Sequence, residues 1–412
     1  MTQTAQPAGR SAALLSDPVT FVAGVPHGEF ARLRRDEPVS WVPERPPRGG
    51  TGFWAVTRYD AVATVSRTPE IFSAEERGVF LTDPRTREDL DRARQMLTNM
   101  DGPRHARMRR LVTPAFSPAA LRSLRASVDG HAERLVDEVL AAGEFDAVAD
   151  LAAELPLLVL ADLLGIPRSD RGLLLRWSNH LVGFDDPEYG GGDVAVYRQT
   201  FVEAAGYVAE LAAQRRRRPG DDLVSRLLGS EVDGERLTEA QLLAFWMLLV
   251  VAGNETTRHL ISGALAALAE WPAAAARLAA DPDLVPTAAE EMLRWVTPIM
   301  QFRRTATADT ELSGQPIRAG DKVVIYYISA NRDEAVFAKP DRLDVARSPN
   351  PHLAFGTGPH TCLGARLAHA EFQALLRLLL PHLRRFELTG PPRRLESNFV
   401  NGIKSMPARF RS

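Results

Sequence analysis

Hydrophobic residues recur at three- and four-residue spacing along most of the 412-residue chain, a period that predicts amphipathic α-helices. Two examples are ALRSLRASVDGHAERLVDEVLAAG, which ends at Gly143, and VYRQTFVEAAGYVAELAAQRRRRPGDD, which ends in a basic run before Pro-Gly. The alternation typical of strands is confined to short stretches such as GFWAVTRY, TELSG and DKVVIYYISA. The pattern predicts a mainly α protein with a small β region.

The longest helical stretch is LTEAQLLAFWMLLVVAGNETTRHLISGALAALAEWP. Thr238 is suited to cap its first turn, because Gln241 three residues later completes a capping box. Pro272 is expected to end the helix. The stretch is apolar on nearly all sides, so we expect it to cross the centre of the molecule.

Composition narrows the compartment and the partners. The formal net charge of −2 gives no overall reason to expect a nucleic-acid partner. A single cysteine excludes an intrachain disulfide and is consistent with a reducing cytoplasm. The N-terminal residues lack the apolar core of a signal peptide, and the apolar runs are too short to span a bilayer. We therefore expect a cytoplasmic protein without a membrane span, with residues 1–20 forming a flexible N-terminal tail.

The single cysteine, Cys362, lies in the glycine-rich segment FGTGPHTCLG, directly before the helical pattern ARLAHAEFQALLRLLLPHL. Gly356, Gly358 and Gly364 let the backbone adopt positive φ and approach a neighbour closely. The positive end of the following helix and its free backbone N–H groups favour a thiolate at this position. The segment therefore indicates a cysteine with a chemical role.

A thiolate at Cys362 is compatible with two kinds of chemistry. A nucleophilic cysteine needs a histidine base, for which His360 and His369 are candidates. A zinc ligand would need further ligands nearby, and the chain has no other cysteine. Haem iron needs only this one thiolate, because the porphyrin supplies the other four ligands. The residues alone leave the nucleophile and the haem ligand open.

FGTGPHTCLG resembles the haem-binding signature of bacterial cytochrome P450 enzymes at every signature position. The resemblance implies a haem b cofactor, with Cys362 as the axial thiolate, Phe355 against the sulfur side and His360 toward a propionate. It also implies the cytochrome P450 fold, in which the haem lies between the long central helix and the helix after the cysteine loop. One departure is His369, where the family often has arginine.

A second motif lies midway along the long helix, where AGNETT matches the family pattern of small residue, glycine, any residue, acid and threonine. Ala252 is small enough for a planar cofactor to approach. Thr256 can bond to the carbonyl of Ala252 and bend the helix. Glu255 is an acid in an apolar helix, which is costly to bury without a purpose. The resemblance assigns Glu255 and Thr256 to proton delivery during oxygen activation.

Haem propionates require cations, and the resemblance supplies four candidates. His105 and Arg109 match the family's His-x-x-x-Arg pattern, and His360 lies in the cysteine loop. In the segment FRRTATADTEL, Arg303 and Arg304 both qualify, and the alignment with the family favours Arg304.

The segment EEMLR places Glu291 and Arg294 on one helix face. The family joins this Glu-x-x-Arg pair to a second arginine in a proline-led segment, and KPDRLD offers Arg342 for that position. We expect the three to form a buried structural cluster near the haem, without a catalytic role.

The resemblance extends over nearly the whole chain and implies one domain, residues 21–412, that acts as a haem-thiolate monooxygenase using O2. Electrons are expected from a ferredoxin and its ferredoxin reductase. The ferredoxin is expected to dock on a basic surface formed by Arg104, Arg107, Arg110 and Arg366. A monomer is expected.

Stretches such as RWSNHLVGFDDPEY and NGIKSMP resemble the actinobacterial branch that hydroxylates sterol side chains and methyl-branched lipids. The expected substrate is an apolar small molecule: a sterol, a branched lipid or a terpenoid-like compound. Ile299, Met300 and Gln301 are candidate pocket residues, although Ile299 and Met300 are also consistent with ordinary core positions. The alternatives are a polyketide or peptide substrate of secondary metabolism, and a peroxide-driven peroxygenase, which typically lacks the acid–threonine pair.

Overall fold

The computed structural model describes residues 12–44, 50–232 and 234–411, which form a mainly α fold with a small β region, as the pattern predicts. Fourteen α-helices lie within the described residues. They are α1 (His27–Asp36), α2 (Tyr59–Arg67), α3 (Arg87–Ala93), α4 (Gly102–Val112), α5 (Pro118–Ala142), α6 (Glu154–Leu164), α7 (Arg171–Val182), α8 (Val194–Arg217), α9 (Leu223–Gly229), α10 (Glu239–Glu270), α11 (Pro272–Ala280), α12 (Val285–Val296), α13 (Tyr327–Ala330) and α14 (Ala365–Leu379).

The strands are short and belong to several small sheets. They are β1 (Val39–Val42), β2 (Phe53–Val56), β3 (Phe72–Ser73), β4 (Glu144–Asp146), β5 (Glu231–Val232), β6 (Glu235–Arg236), β7 (Gln301–Ala306), β8 (Thr310–Leu312), β9 (Gln315–Ile317), β10 (Lys322–Tyr326), β11 (Phe386–Leu388), β12 (Arg393–Arg394), β13 (Ile403–Ser405) and β14 (Pro407–Phe410). The largest sheet has the order β1-β2-β10-β7-β3. Strand β10 pairs parallel with β2 and antiparallel with β7, so β7 lies inside the sheet.

Helix α10 is the predicted central helix, and its N-terminal capping box is confirmed. The backbone N–H of Thr238 donates to Gln241 Oε1 at 2.9 Å, and the N–H of Gln241 donates to Thr238 Oγ1 at 3.2 Å. The helix ends at Glu270, and Pro272 begins α11 instead. Neither α10 nor any other helix of the described residues is long and apolar enough to cross a bilayer.

Two apolar clusters meet at α10. Its N-terminal half packs with α6, α7 and α8, and its C-terminal half packs with α5, α12 and α14. Gly263 permits close contact with α12, because a Cβ there would lie only 2.7 Å from a methyl carbon of Val296. The polar AGNETT turn lies between the two clusters, so the apolar core positions it at the centre of the fold.

The predicted flexible tail, residues 1–20, falls partly within the described residues. Residues 1–11 lie outside them. The remainder differs from the expectation, since it forms short 3-10 turns in which Leu15 is fully buried. Asn398 Nδ2 also donates to the carbonyl oxygen of Leu15 at 3.4 Å. An apolar anchor therefore holds this stretch, and the single domain over residues 21–412 stays a prediction.

Candidate functional site

The cysteine loop precedes α14 and is shaped by its glycines. Gly356 and Gly358 have φ values of 68° and 75°, a region that side-chain-bearing residues rarely adopt. A Cβ at Gly358 would lie 2.6 Å from the carbonyl oxygen of Ser66, so only glycine fits against α2. The backbone N–H of Cys362 donates to the carbonyl oxygen of Phe355 at 2.9 Å and closes the loop.

Cys362 is exposed to solvent, although protein groups surround its thiol on most sides. Burial raises its pKa, while the backbone N–H groups of Gly364 and Ala365 and the charge of Arg109 act in the opposite direction. The first turn of α14 therefore directs N–H groups at the sulfur, as the sequence predicts. The net effect raises the pKa of the thiol, and the α14 N–H groups together with Arg109 are the groups that would stabilise a thiolate at this position.

The middle of α10 provides an opening in an otherwise buried helix. Ala252 is exposed, whereas its neighbours on either side along the helix include fully buried apolar residues. Thr256 Oγ1 donates to the carbonyl oxygen of Ala252 at 2.7 Å, which confirms the predicted side-chain to backbone bond. The turn therefore exposes a small residue and a hydroxyl at the same place.

Glu255 is buried, and its carboxylate contacts an arginine, a histidine and a serine hydroxyl. Oε1 accepts from Ser178 Oγ at 3.0 Å and from Arg258 Nη1 at 3.2 Å, and Oε2 lies 3.1 Å from His259 Nε2. Burial by itself raises the pKa of Glu255, but the charge of Arg258 and the contacts with His259 and Ser178 outweigh it and lower the pKa to about 2. The buried acid is therefore ionised.

This network reaches beyond α10 to elements that the motif does not contain. Arg258 Nη1 donates to Asn179 Oδ1 of α7 at 3.0 Å, and Nη2 donates to the hydroxyl of Tyr189 at 3.0 Å. Tyr189 lies in the glycine-rich connection between α7 and α8. Sequence reasoning did not identify Ser178 or Tyr189, because their relation to Glu255 depends on how the helices pack.

The four predicted propionate partners come together near the cysteine loop. The rings of His105 and His360 lie 4.3 Å apart between centroids. Arg109 Nη2 donates to the carbonyl oxygen of Thr361 at 2.6 Å, and the buried Arg304 has Nη1 bonded to a backbone carbonyl at 2.8 Å. Burial lowers the pKa of His105 to about 4, with His360 and Arg109 contributing in the same direction. This cluster of arginine and imidazole side chains therefore suits an anionic group.

A dicarboxylate group such as a pair of haem propionates fits these residues. The Nε2 atoms of His105 and His360 are buried and have no hydrogen-bond partner within the described residues. Burial lowers the pKa of the Arg304 guanidinium, as expected for a cation without a nearby carboxylate bonded to it. Arg303, the alternative, is already paired with Asp83 at 2.6 Å. Because Arg303 is already bonded to a carboxylate and Arg304 bonds only to a backbone carbonyl among the described residues, Arg304 is the better candidate of the two.

Asp101 belongs to this region but was missed by sequence reasoning. Its Oδ2 accepts from Ser73 Oγ at 2.5 Å and from the N–H of Glu75 at 3.0 Å, and Oδ1 lies 3.9 Å from His360 Nε2. Burial by itself raises the pKa of Asp101, but these contacts lower it to about 2. An ionised carboxylate beside His360 restrains the imidazole, and only its position directly before α4 hinted at this.

The predicted Glu291 cluster exists, but one member is corrected. Arg294 Nε and Nη2 each bond to Glu291 at 2.8 Å, and both side chains are fully buried. The second arginine is Arg347, whose Nε lies 2.9 Å from Glu291 Oε2, and not Arg342. Arg342 is exposed, because the chain turns at Asp344 and brings Arg347 back toward α12.

The predicted pocket residues occupy different surroundings. Met300 is fully buried in the cluster of the sheet and the N-terminal helices, a packing position that does not fit a pocket wall. Gln301 is buried in β7, and its Oε1 has no hydrogen-bond partner among the described residues. Ile299 is partly exposed and bridges to Val400, so it remains the candidate that suits a pocket wall.

An aromatic series adjoins Ile299 and was not identified from the sequence. The ring of Phe399 lies 5.5 Å from Phe302 of β7 and 5.1 Å from Phe80, between centroids. Phe302 in turn lies 6.2 Å from Tyr327. Phe80 is 46% exposed, so the series runs from the surface into the sheet. No periodicity marks these residues, because they come from four separate segments: two loops, β7 and α13.

Comparison with known proteins gives one consistent family. The family model described as cytochrome P450 matches residues 198–409. A methyl-branched lipid omega-hydroxylase of Mycobacterium tuberculosis is 42% identical over 388 residues, which cover 92% of this chain and 90% of the relative. A steroid C26-monooxygenase of the same organism is 38% identical over 397 residues, covering 94% of this chain and 90% of the relative.

The backbone gives the same result. The solved structure of a Mycobacterium marinum cytochrome P450 in complex with pseudoionone superposes with a TM-score of 0.89 at 43% identity. The match covers 99% of this chain and 100% of that chain. The similarity therefore includes the cysteine loop, the central helix and the small sheets together.

Proposed function

The chain belongs to the cytochrome P450 family, and we propose that it hydroxylates a C–H bond of an apolar small molecule with electrons from a ferredoxin. Family membership makes it a monooxygenase with haem b as its cofactor. The observation that carries the proposal is the presence, in one chain, of the Cys362 loop and of an exposed Ala252 bonded to the Thr256 hydroxyl in α10.

The haem is proposed to be held by five residues: Cys362 as the iron ligand, and His105, Arg109, Arg304 and His360 at the propionates. The orphaned Nε2 atoms of the two histidines support this assignment. When bound, the haem would supply dioxygen activation for insertion into a C–H bond, and the Cys362 thiolate would favour O–O cleavage.

Protons are proposed to pass through the turn formed by Glu255 and Thr256. The Thr256 hydroxyl donates to Ala252 and keeps lone pairs that can accept from water. Glu255 is ionised and therefore able to accept a proton from one side and release it to the other. Its bonds to Ser178 and Arg258 hold it away from the opening until water competes for the carboxylate.

Replacing Thr256 tests this assignment without removing the haem ligand. In Thr256→Ala we expect electron consumption to continue while product formation per electron falls several-fold. The neighbouring Thr257→Val provides the control, because it changes a threonine of the same helix that makes no proposed contact with oxygen. Unchanged coupling in Thr256→Ala would refute the role of the hydroxyl.

The substrate is proposed to be a sterol, a methyl-branched lipid or a terpenoid-like compound. Support comes from the two mycobacterial relatives, whose names specify a steroid and a methyl-branched lipid. Ile299, Phe302 and Phe399 present a partly exposed apolar surface that suits such a molecule. Screening sterols, branched fatty acids and macrolides for a haem spin-state shift distinguishes this class from a polyketide substrate.

Electron delivery is proposed to use the basic surface through its exposed arginines. Arg104 pairs with Glu75 at 2.9 Å, and Arg107 pairs with Glu235. Arg110 and Arg366 are exposed and suit an acidic ferredoxin. The double variant Arg110→Glu/Arg366→Glu should slow reduction in a salt-dependent manner. Equal rates in this variant and in a charge-matched variant elsewhere on the surface would exclude the proposed surface.

The absorption spectrum of the reduced, carbon-monoxide-bound protein tests the central assignment. The strongly red-shifted Soret band of a thiolate-ligated haem is expected in the wild type and is expected to be lost in Cys362→Ser. His369→Ala is the matched control, since this histidine was the alternative base for a nucleophilic cysteine and should leave the band in place. Haem-loaded wild-type protein without the band would contradict thiolate ligation.

A further inference from the structure

A surface cavity of about 430 Å³ lies beside the connection between β3 and α3. Its lining includes four arginines, Arg77, Arg85, Arg87 and Arg94, and a single acidic residue, Glu76. Four guanidinium groups facing one carboxylate give the cavity a positive potential. None of these residues belongs to the haem site described above.

Two of the arginines have no ion-pair partner among the described residues. Neither Arg77 nor Arg85 makes a side-chain hydrogen bond or an ion pair within the described part of the chain. Arg77 is close enough to Arg303 for repulsion: burial lowers the pKa of the Arg303 guanidinium, Asp83 opposes the shift, and the charge of Arg77 contributes to the lowering. An anion in the cavity would relieve this repulsion.

The other two arginines are held near the cavity by weaker or backbone contacts. Arg94 is positioned by the carbonyl oxygens of Glu75 and Glu76, to which Nε and Nη2 donate at 2.9 Å and 3.2 Å, and its Nη1 lies 3.7 Å from Asp91 Oδ1. Arg87 lies 4.0 Å from Asp91 and is 95% exposed, so this ion pair contributes little. The guanidinium of Arg94 is thus pre-positioned, and that of Arg87 is free to move toward a ligand.

The connection that lines the cavity also carries the exposed end of the aromatic series. Phe80, three residues after Arg77, is exposed and packs against Phe399. Val79 is fixed to the sheet, because its carbonyl oxygen accepts from the backbone N–H of Arg303 in β7 at 2.8 Å. A positive surface and an apolar path toward the sheet therefore meet at one loop.

We propose that this cavity binds the anionic head group of an amphiphilic substrate, a carboxylate or a phosphate ester, whose apolar chain lies along Phe80 and Phe399. The fork of an arginine side chain matches both kinds of oxyanion with two parallel hydrogen bonds. A volume of about 430 Å³ also accommodates a phosphate group together with water. The inference deepens the proposed function and depends on it for the position of the reacting chain.

Direct anion binding tests the site without any turnover. Inorganic pyrophosphate is titrated calorimetrically into haem-loaded protein at low salt. The double variant Arg77→Gln/Arg85→Gln should bind it at least about tenfold more weakly, and Glu76→Gln should bind it more tightly. The control Arg92→Gln/Arg125→Gln removes the same charge from α3 and α5 outside the cavity and should bind as the wild type does.

Either of two results would overturn the site: no pyrophosphate binding by the wild type, or the same weakening in the cavity variant and the control variant. Neither result bears on the haem ligand, because the carbon monoxide spectrum and Cys362→Ser test that separately. Failure of the anion site and failure of the proposed function are therefore distinguishable.

A second titration identifies the head group. One branched-chain fatty acid, its methyl ester and its coenzyme A thioester are compared by calorimetry. The acid or the thioester should bind more tightly than the ester to the wild type, and Arg77→Gln/Arg85→Gln should remove this advantage. If the acid binds more tightly than the thioester, the head group is a carboxylate. If the thioester binds more tightly than the acid, the head group is a phosphate ester. An advantage that survives in the variant would exclude the cavity as the head-group site.

Discussion

Helices α10 and α14 each bury a glutamate, and their surroundings give the two carboxyl groups opposite charge states. The charge of Arg258 and the contacts with His259 and Ser178 outweigh burial at Glu255 and lower its pKa to about 2. Burial alone acts on Glu371 of α14 and raises its pKa to about 8. Both side chains are 2% exposed, so the neighbours, and not the depth, decide which acid is charged.

The two sites also differ in what they connect. The Glu255 network joins α10 to α7 and, through Tyr189, to the glycine-rich connection before α8. Glu371 makes no side-chain hydrogen bond or ion pair within the described residues, and its Oε2 is buried without a partner. The charged acid therefore couples α10, α7 and the connection before α8, whereas the neutral acid is a local feature of the helix that follows the cysteine loop.

The largest effect is expected from removing the cation beside Glu255. Arg258→Met leaves a buried carboxylate without its arginine partner, beside a His259 whose pKa is lowered by burial. Breaking a buried ion pair costs about 3–5 kcal/mol. The free energy of unfolding, measured by urea denaturation at neutral pH, should fall by that amount. The pKa of Glu255 should rise at the same time, because the main opposing charge is gone.

Two variants determine whether this cost arises from the stranded charge. Arg258→Met combined with Glu255→Gln should recover most of the lost stability, since no charge is then buried. Arg125→Met breaks an exposed pair with Asp129, 3.0 Å apart, and should cost below about 1 kcal/mol. If the double variant were as unstable as Arg258→Met, packing and not charge would be the cause.

Features that depend on neighbours in sequence were predicted correctly. The capping box of Thr238 and Gln241, the Thr256 bond to its own helix and the Glu291–Arg294 pair all involve residues three or four positions apart. The glycine-rich cysteine loop also follows from local geometry. Helix geometry places residues three or four positions apart on one face, so such contacts can be predicted from a single sequence.

Features that depend on distant segments were missed or misassigned. Arg347 and not Arg342 reaches Glu291, because a turn near residue 344 decides which side chain points back. Asp101 meets His360 across more than two hundred residues, and Phe399 meets Phe80 across more than three hundred. No spacing rule relates such residues, since the packing of helices and loops brings them together.

Glu371 should give the next largest effect, as a dependence of stability on pH. Its pKa is 4.5 in the unfolded reference and about 8 when folded, so the folded state holds more protons between these values. The stability from this group is complete below pH 4.5 and is lost as the pH rises to 8. The loss is about 1.4 kcal/mol per pH unit, or roughly 3 kcal/mol at pH 7.

The variant Glu371→Gln isolates this contribution. It should remove the slope, so that the difference in unfolding free energy between variant and wild type grows from pH 5 to pH 8 and then stays constant. The comparison uses the slope, because any constant cost of burying an amide cancels. Parallel curves for the two proteins across this range would show that Glu371 does not titrate with a raised pKa.

The smallest effect should come from Tyr189, the residue that ties the Glu255 network to the connection before α8. Tyr189→Phe keeps the ring near the Arg258 guanidinium and removes the hydroxyl that accepts from it, so we expect a loss of about 1 kcal/mol. The connection should stay folded, because Lys404 remains paired with Asp186 at 3.0 Å.

A double-mutant cycle with Arg258→Met provides the decisive measurement. If the network is coupled as the contacts indicate, Tyr189→Phe should cost almost nothing once Arg258 is absent. An equal cost in both backgrounds would mean that the hydroxyl stabilises the connection by another route, and that the charged acid of α10 is not linked to the loop above it.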